Sequence, residues 1–301
     1  MMADSLRGAL LMCTAMAAFA INDTCMKAIA DDVPLFQAIA LRGALAAVAL
    51  ALIGLRVGGL RVDLVRRDAR LVGLRSVGEV AATLTFLTAL RHMPLANLSA
   101  IMQFLPLAVT LSAALVLREP VGWRRMAAIV VGFGGVMLIV RPGTDGFDRW
   151  SLIALASVAC VVVRDLSTRQ LSAALPSVSV AFIAAISVAL AGAILVPFEG
   201  WSPVSIRSAL LIVGASVFLI LGYVTVVMAM RVGDIGVVAP FRYTALIFSI
   251  VLGWAAFSEL PDGLTLIGAT IVVATGVYSF YRERKLGQNI SIQNKPPLRL
   301  R

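Results

Sequence analysis

Residues 208–229, SALLIVGASVFLILGYVTVVMA, run from end to end without a charged side chain. A helix needs about 20 mostly apolar residues to cross a bilayer, so this stretch by itself predicts a membrane span. Other windows along the chain have the same character. The predicted spans are 8–28, 36–55, 72–90, 97–117, 124–140, 151–171, 178–197, 208–229, 236–257 and 264–281. The sequence therefore predicts an all-α integral membrane protein with ten transmembrane helices.

The composition of the chain supports a membrane location. Of 301 residues, 60% are hydrophobic and the mean hydropathy is +0.96. One soluble core of this length has no room for so much apolar surface, whereas a lipid bilayer covers it. The net charge of +10 does not indicate nucleic-acid binding, because only 14% of residues are charged and the arginines lie mainly between apolar runs. The bilayer, and not a nucleic acid, is the expected partner.

The residues that build metal and catalytic centres are sparse. Cys13, Cys25 and Cys160 each lie inside an apolar run, and His92 is the single histidine. No HExxH motif, Cys/His cluster or phosphate-binding GxxxxGK[ST] loop is present. We therefore expect no metal, no cofactor, no catalytic residues and no direct use of ATP. A membrane-embedded enzyme is the disfavoured alternative.

The positions of basic residues predict the orientation of the chain. If the N-terminus is cytoplasmic, the outward-facing loops keep only four arginines, which are Arg91, Arg141, Arg149 and Arg207. Cytoplasmic loops carry an excess of Lys and Arg in membrane proteins. We therefore expect both termini in the cytoplasm, with residues 282–301 as a basic, unstructured cytoplasmic tail.

The two halves of the chain resemble each other. Arg7, Asp23, Lys27 and Pro34 recur 142 positions later as Arg149, Asp165, Arg169 and Pro176, and Arg91 and Glu119 recur 140 positions later as Arg231 and Glu259. Each half has five predicted spans, an odd number, so the two must insert with opposite orientation. Two inverted repeats, 8–141 and 150–281, are typical of secondary transporters that bind substrate between the repeats.

Long segments of both halves resemble ten-helix, EamA-type members of the drug/metabolite transporter superfamily. The segments are residues 7–30, 34–46, 89–142 and 229–277, with a Glu-Pro or Glu-Leu-Pro sequence at the ends of spans four and nine. The resemblance implies a multi-pass protein of the bacterial inner membrane that carries a small polar metabolite by alternating access. It also leaves open whether the protein is a monomer or a homodimer.

Two short segments point to a branch of this superfamily. Asn22-Asp23-x-x-x-Lys27 and Leu41-Arg42-Gly43 resemble bacterial riboflavin transporters and S-adenosylmethionine carriers. Riboflavin uptake is the predicted activity, and transport of an amino acid or an S-adenosylmethionine-type metabolite is the alternative.

Several charged side chains fall inside the predicted spans, where lipid makes them costly. Asp23/Lys27, Arg75/Glu79 and Asp165/Arg169 are spaced by four residues, so each pair can form an ion pair within one helix. Such pairs, with Arg164 beside them, either join helices structurally or take part in ion coupling.

Other polar residues in the spans are candidates for substrate contact. Arg42, Arg75, Glu79 and Arg242 have no charged counterpart at the repeat-related position, as expected for contacts with an asymmetric ligand. Asn22, Asp23, Gln103 and Tyr243 complete the predicted cavity; Gln103 and Tyr243 are repeat-related and could face each other. Pro106 predicts a kink in span four. Gly132, Gly134, Gly135, Gly268 and Gly276 predict close helix contacts in spans five and ten.

Overall fold

A computed structural model of the chain describes residues 2–57, 66–119, 121–142, 148–172, 175–232 and 235–293. Regular structure in these residues is helical. The helices are α1 (Met2–Ala28), α2 (Leu35–Val57), α3 (Arg66–His92), α4 (Leu95–Met102), α5 (Leu105–Val116), α6 (Trp123–Val140), α7 (Arg149–Arg169), α8 (Ser177–Glu199), α9 (Ile206–Val232), α10 (Ile235–Val238), α11 (Thr244–Phe257) and α12 (Gly263–Gln293), with a 3-10 helix at Ala239–Tyr243.

The predicted number of membrane spans is confirmed. Within the described ranges, ten helical segments are long and apolar enough to cross a membrane, and each coincides with a predicted window. Large apolar side chains such as Leu55, Val77, Phe198 and Ile206 are exposed on these helices. In water such a surface would be unfavourable, but against lipid it requires no cover.

Spans four and nine are interrupted at corresponding points. Span four consists of α4 and α5, which are separated at Gln103 and Phe104, and Pro106 lies in the first turn of α5. The predicted kink near Pro106 is therefore a break. Span nine consists of α10, the 3-10 helix with Pro240, and α11. This second break was not predicted from the sequence, although Pro240 was the available signal.

The main helix contacts join the first half of the chain to the second. The closest pairs are α1 with α9, α3 with α7, α2 with α8, and α6 with α12. Exchanging the halves converts α1 into α7 and α9 into α3, so the first two pairs are equivalent. This pairing is the pattern expected for inverted repeats around a twofold axis.

The bundle has two ends, which we name after two basic residues. At the Lys27 end, α1 ends and α2, α9 and α12 begin; at the Arg169 end, α7 ends and α3 and α8 begin. Because the chain crosses the bundle ten times, an even number, the start of its first span and the end of its last span both lie at the Arg169 end. Which end faces the cytoplasm stays a prediction.

Two sequence-based expectations need correction. The helix α12 continues to Gln293, into the tail that was expected to be unstructured, while residues 294–301 lie outside the described residues. Arg, Glu, Lys and Leu after Tyr281 favour helix, and extending an existing helix needs no new nucleus. Gly134 faces open space, so its predicted role in helix contact is wrong, whereas a Cβ on Gly135 would lie 2.8 Å from the Gly268 carbonyl oxygen.

Candidate functional site

Seven charged side chains from both halves of the chain form one cluster inside the bundle. They come from α1, α2, α3, α7 and the 3-10 helix, and they are Asp23, Arg42, Arg75, Glu79, Arg164, Asp165 and Arg242. All of them were singled out from the sequence. Charges at this depth require partners or water, so their mutual arrangement decides what the cluster can bind.

Glu79 lies between two guanidinium groups at the centre of the cluster. Its Oε2 is 3.6 Å from Nη2 of Arg75, the expected pair within α3, and its Oε1 is 3.5 Å from Nη1 of Arg164 on α7. Arg164 also donates from Nε to Asp165 Oδ1 at 2.9 Å. Arg75 donates from Nε to Thr168 Oγ1 at 3.1 Å. These bonds join span three to span six, one helix from each half.

Asp23 and Arg42 meet through an asparagine. Asn22 donates from Nδ2 to Asp23 Oδ1 at 2.8 Å, and its Oδ1 accepts from Nη1 of Arg42 at 3.3 Å. Arg42 is only 8% exposed, and its Nε has no hydrogen-bond partner. A buried donor without a partner is energetically costly, so this guanidinium retains unused binding capacity.

Arg242, which belongs to the cluster, and Tyr223 on α9 are both exposed side chains. Both interact electrostatically with Arg164 on α7. Arg242 makes no hydrogen bond or ion pair to any residue that the structure describes. The 3-10 helix that carries it packs on α1 and α12 and has no extensive contact with α7. Arg242 is therefore the most exposed side chain of the cluster.

Gln103 and Tyr243, the other predicted cavity residues, lie at the two helix breaks and are buried. The Tyr243 ring packs against α12, with its centroid 6.3 Å from that of Phe280. A Cβ at Gly276 would overlap the Tyr243 hydroxyl, so this glycine makes room for the ring. Tyr243 is thus part of the packing between the 3-10 helix and α12, and its contact with a substrate stays a prediction.

Two of the expected ion pairs within helices are wrong. Lys27 pairs with Glu259 at 2.8 Å and not with Asp23, and Arg169 pairs with Glu119 at 2.9 Å and not with Asp165. Spacing by four residues shows which side chains can meet along one helix, but it does not include acceptors on neighbouring helices. Here Glu259, which follows span nine, lies within reach of Lys27, and Glu119, which follows span four, lies within reach of Arg169.

Comparison with known proteins gives the family of the chain. The sequence profile of the EamA-like transporter family matches twice, over residues 6–141 and 148–281. The chain belongs to the EamA-like transporter family. With its ten apolar helices, it is a multi-pass protein of the bacterial inner membrane.

Relatives of this EamA-like protein are named as transporters of different compounds. An S-adenosylmethionine uptake transporter of Rickettsia conorii is 30% identical over 60% of the chain, and the match spans 61% of that relative. The pseudopaline exporter CntI of Pseudomonas aeruginosa is 26% identical over 88% of this chain and 93% of its own. A riboflavin transporter of Vibrio cholerae is 29% identical over 60% of each chain.

A solved structure supports the EamA-like architecture. One crystal structure superimposes with a TM-score of 0.63 over 93% of this chain and 98% of its own, at 22% sequence identity. At this identity the similarity concerns the fold alone. The charged cluster must therefore be interpreted from this chain's own residues. Among the described residues, no group of three or more His, Cys, Asp or Glu side chains could hold a metal ion.

Proposed function

We propose that the chain is a secondary transporter, which carries a small polar organic metabolite across the membrane by alternating access. The observation that carries this proposal is a pair of repeat-related ion pairs, Lys27–Glu259 and Glu119–Arg169, at opposite ends of the bundle. Each joins the first span of one repeat to the segment after the fourth span of the other. They enclose the charged cluster, which is the proposed cargo site.

The ion pair at the Lys27 end is tightly held. The Nζ of Lys27 lies 2.8 Å from both Glu259 oxygens and also donates to the Met93 carbonyl at 2.8 Å. Glu259 Oε2 accepts from the Leu95 amide at 3.2 Å, and the Phe257 ring centroid lies 5.2 Å from Nζ. The two side chains are 10% and 28% exposed. This network closes the Lys27 end.

The ion pair at the Arg169 end is loosely held. Arg169 donates from Nη2 to Glu119 Oε1 at 2.9 Å, and the side chains are 48% and 45% exposed. In the part of the chain that the structure describes, neither side chain has a further hydrogen bond. Exposed ion pairs contribute about 0 to 1 kcal/mol, so this end separates at little cost.

The same backbone turn positions both glutamates. Arg118 and Ser258, each immediately before its glutamate, have left-handed φ values of 57° and 56°. The amides of Glu119 and Glu259 bond to the carbonyls of Ala113 and Gly253, six residues earlier in each case. In both cases a left-handed residue ends the helix, as is common at helix C-termini. The two ends thus share one backbone turn but differ in the partners of their glutamates. Two such ends can close one at a time, as alternating access requires.

The predicted repeats, 8–141 and 150–281, are the bodies that would move relative to each other. Opening the Lys27 end would break the Lys27–Glu259 network while the Arg169 end gained the equivalent contacts. Because the parts are related by the repeat, the two closed states would have similar energies. A carrier requires this similarity, since a large energy difference would trap it on one side.

The basic residues support placing the Arg169 end at the cytoplasm, where both termini are predicted. The relatives, which carry S-adenosylmethionine, pseudopaline or riboflavin, support a metabolite cargo without selecting one. Riboflavin uptake and a possible homodimer stay predictions from the sequence.

Distances between spin labels at both ends would test the proposal. In a chain with Cys13, Cys25 and Cys160 replaced by serine, one label pair is placed at Asp31 and Leu260, across the Lys27 end. A second pair, at Trp123 and Arg231, spans the Arg169 end. We expect Lys27→Ala to lengthen the first distance and shorten the second, because loss of the tight network favours closure at the other end.

Arg207→Ala is the matched control, because it removes a cation that pairs with Asp32 at the same end but is 71% exposed. It should leave both distances unchanged. If Lys27→Ala moved neither pair, or lengthened both, the two ends would not be coupled and the alternating mechanism would be wrong.

A further inference from the structure

The cargo site has more hydrogen-bond donors than acceptors and an excess of positive charge. The cluster contains four guanidiniums, those of Arg42, Arg75, Arg164 and Arg242, and three carboxylates, those of Asp23, Glu79 and Asp165. With all of them ionised, one positive charge is left without a counter-charge. In a low-dielectric interior an uncompensated charge is costly, so a bound group that supplies the missing charge is favoured.

The carboxylates of the cluster already have partners within the protein. Asp23 accepts from Asn22, Asp165 accepts from Arg164, and Glu79 lies between two arginines. They therefore offer little to a ligand. A ligand whose main polar groups are cationic would have to displace an arginine from one of them.

The spare donors are on the arginines. Arg42 Nε and Arg75 Nη1 are buried without a hydrogen-bond partner. Arg242 is exposed and forms no hydrogen bond or ion pair to the residues described, with Asp165 and Arg164 as its charged neighbours. A guanidinium presents two parallel N–H groups that match the two oxygens of a carboxylate.

From these observations, which rest on the proposed carrier function, we infer that the cargo bears a carboxylate and that Arg242 binds it. One carboxylate balances the single excess charge, whereas a phosphate group, with about two charges at neutral pH, would reverse it. The inference places carboxylated metabolites ahead of uncharged ones such as riboflavin. Arg42 and Arg75 then offer their unused donors to other oxygens of the same cargo.

Matched acid and amide probes separate this charge requirement from general binding. The probes are nicotinate and nicotinamide, indole-3-acetate and indole-3-acetamide, and N-acetylglycine and its amide, with riboflavin and potassium phosphate as further arms. Each is added to the purified full chain in detergent, and the unfolding temperature is compared with that in potassium chloride of equal ionic strength.

We expect at least one acid to raise the unfolding temperature by about 2 to 4 °C at ten times its dissociation constant, while its amide does not. Arg242→Gln should abolish the rise, and Arg242→Lys should retain part of it because the positive charge remains. Arg207→Gln, which removes an exposed arginine remote from the cluster, should retain all of it.

The inference is overturned if no acid stabilises the chain beyond chloride, or if an amide, riboflavin or phosphate stabilises it as much as the acids do. It is also overturned if the rise persists in Arg242→Gln. None of these outcomes affects the carrier proposal, which depends on the opposite movement of the two spin-label pairs.

Discussion

The Lys27 end and the Arg169 end of the bundle are built from equivalent parts and yet are held together differently. Each has a cation from a first span, a glutamate after a fourth span, and the same left-handed turn before that glutamate. Lys27 has a backbone carbonyl and an aromatic ring as further partners, whereas Arg169 has its glutamate alone among the described residues. The surroundings of the ion pair, more than its residue types, therefore decide how firmly an end is closed.

Other hydrogen bonds also join the two halves at each end. At the Lys27 end, Gln37 donates to the Ser202 carbonyl and accepts from the Ser202 amide, both at 2.9 Å, and Glu199 accepts from the Phe36 amide at 3.0 Å. At the Arg169 end, Arg125 donates to Ser279 at 3.2 Å, and the Ser172 amide donates to Asp68 at 3.3 Å. Hydrogen bonds therefore join the halves at both ends, and the burial of the Lys27–Glu259 pair is what distinguishes the Lys27 end.

Exchanging the charges at each end would give the largest contrast between them. The double variant Lys27→Glu, Glu259→Lys places a carboxylate against the Met93 carbonyl and an ammonium against the Leu95 amide. We expect it to lose about 3 kcal/mol of unfolding free energy, since it disrupts a largely buried network. Arg169→Glu, Glu119→Arg should change stability by less than about 0.5 kcal/mol, because that pair is about half exposed and has no further hydrogen bond among the described residues.

Thermal unfolding of the purified chains in one detergent would measure both effects. Equal losses for the two exchanges would contradict the view that the ends differ in their surroundings.

A smaller effect is expected where α6 and α12 cross, in the halves of these helices nearer the Lys27 end. A Cβ on Gly135 would lie 2.8 Å from the Gly268 carbonyl oxygen and 3.0 Å from Ile271. Gly135→Ala must therefore separate the helix backbones, at a cost of about 2 kcal/mol. The neighbouring Gly134→Ala is the control, because its Cβ would face open space and should leave stability unchanged or slightly raised. The unfolding temperatures of both variants would show whether close packing helps to hold this end together.

The smallest effect concerns the surface ion pair between Arg141 and Asp262, also at the Lys27 end. The hydrogen bond from Arg141, helped by one from the Thr265 amide, lowers the pKa of Asp262 from 3.8 to about 2. Because the pKa of Asp262 is lower in the folded chain than in the unfolded chain, its charged form stabilises the fold. This stabilisation is fully present above about pH 4 and is lost as the pH falls through 2. Asp262 is about half exposed, so we expect Arg141→Gln to cost less than about 1 kcal/mol.

Unfolding temperatures measured between pH 2 and pH 6 would check the sign of this effect. The wild-type chain and Arg141→Gln should differ above pH 4 and converge near pH 2. A difference that grew as the pH fell would mean that Asp262 is not stabilised in its charged form.

The sequence was a good guide to which residues lie in the cluster and a poor guide to how they are paired. Arg42, Arg75, Glu79 and Arg242 stood out because charge inside an apolar span is costly and these positions have no charged repeat partner. Gln103 and Tyr243 were selected by polarity and symmetry, and the structure places both at helix breaks outside the cluster. Polarity in a span shows that a side chain needs a partner, but it does not show where that partner lies.

The sequence by itself determined the ten spans, the internal repeat and the family, because length, hydropathy and repeated residues are properties of the chain read in order. Only the tertiary structure decided that Lys27 pairs with Glu259, that Arg169 pairs with Glu119, and that one of these contacts is tight. Those contacts join residues 232 and 50 positions apart. Local spacing favours a neighbour on the same helix, whereas a long cationic side chain in an apolar bundle pairs with whichever carboxylate the packing brings within reach.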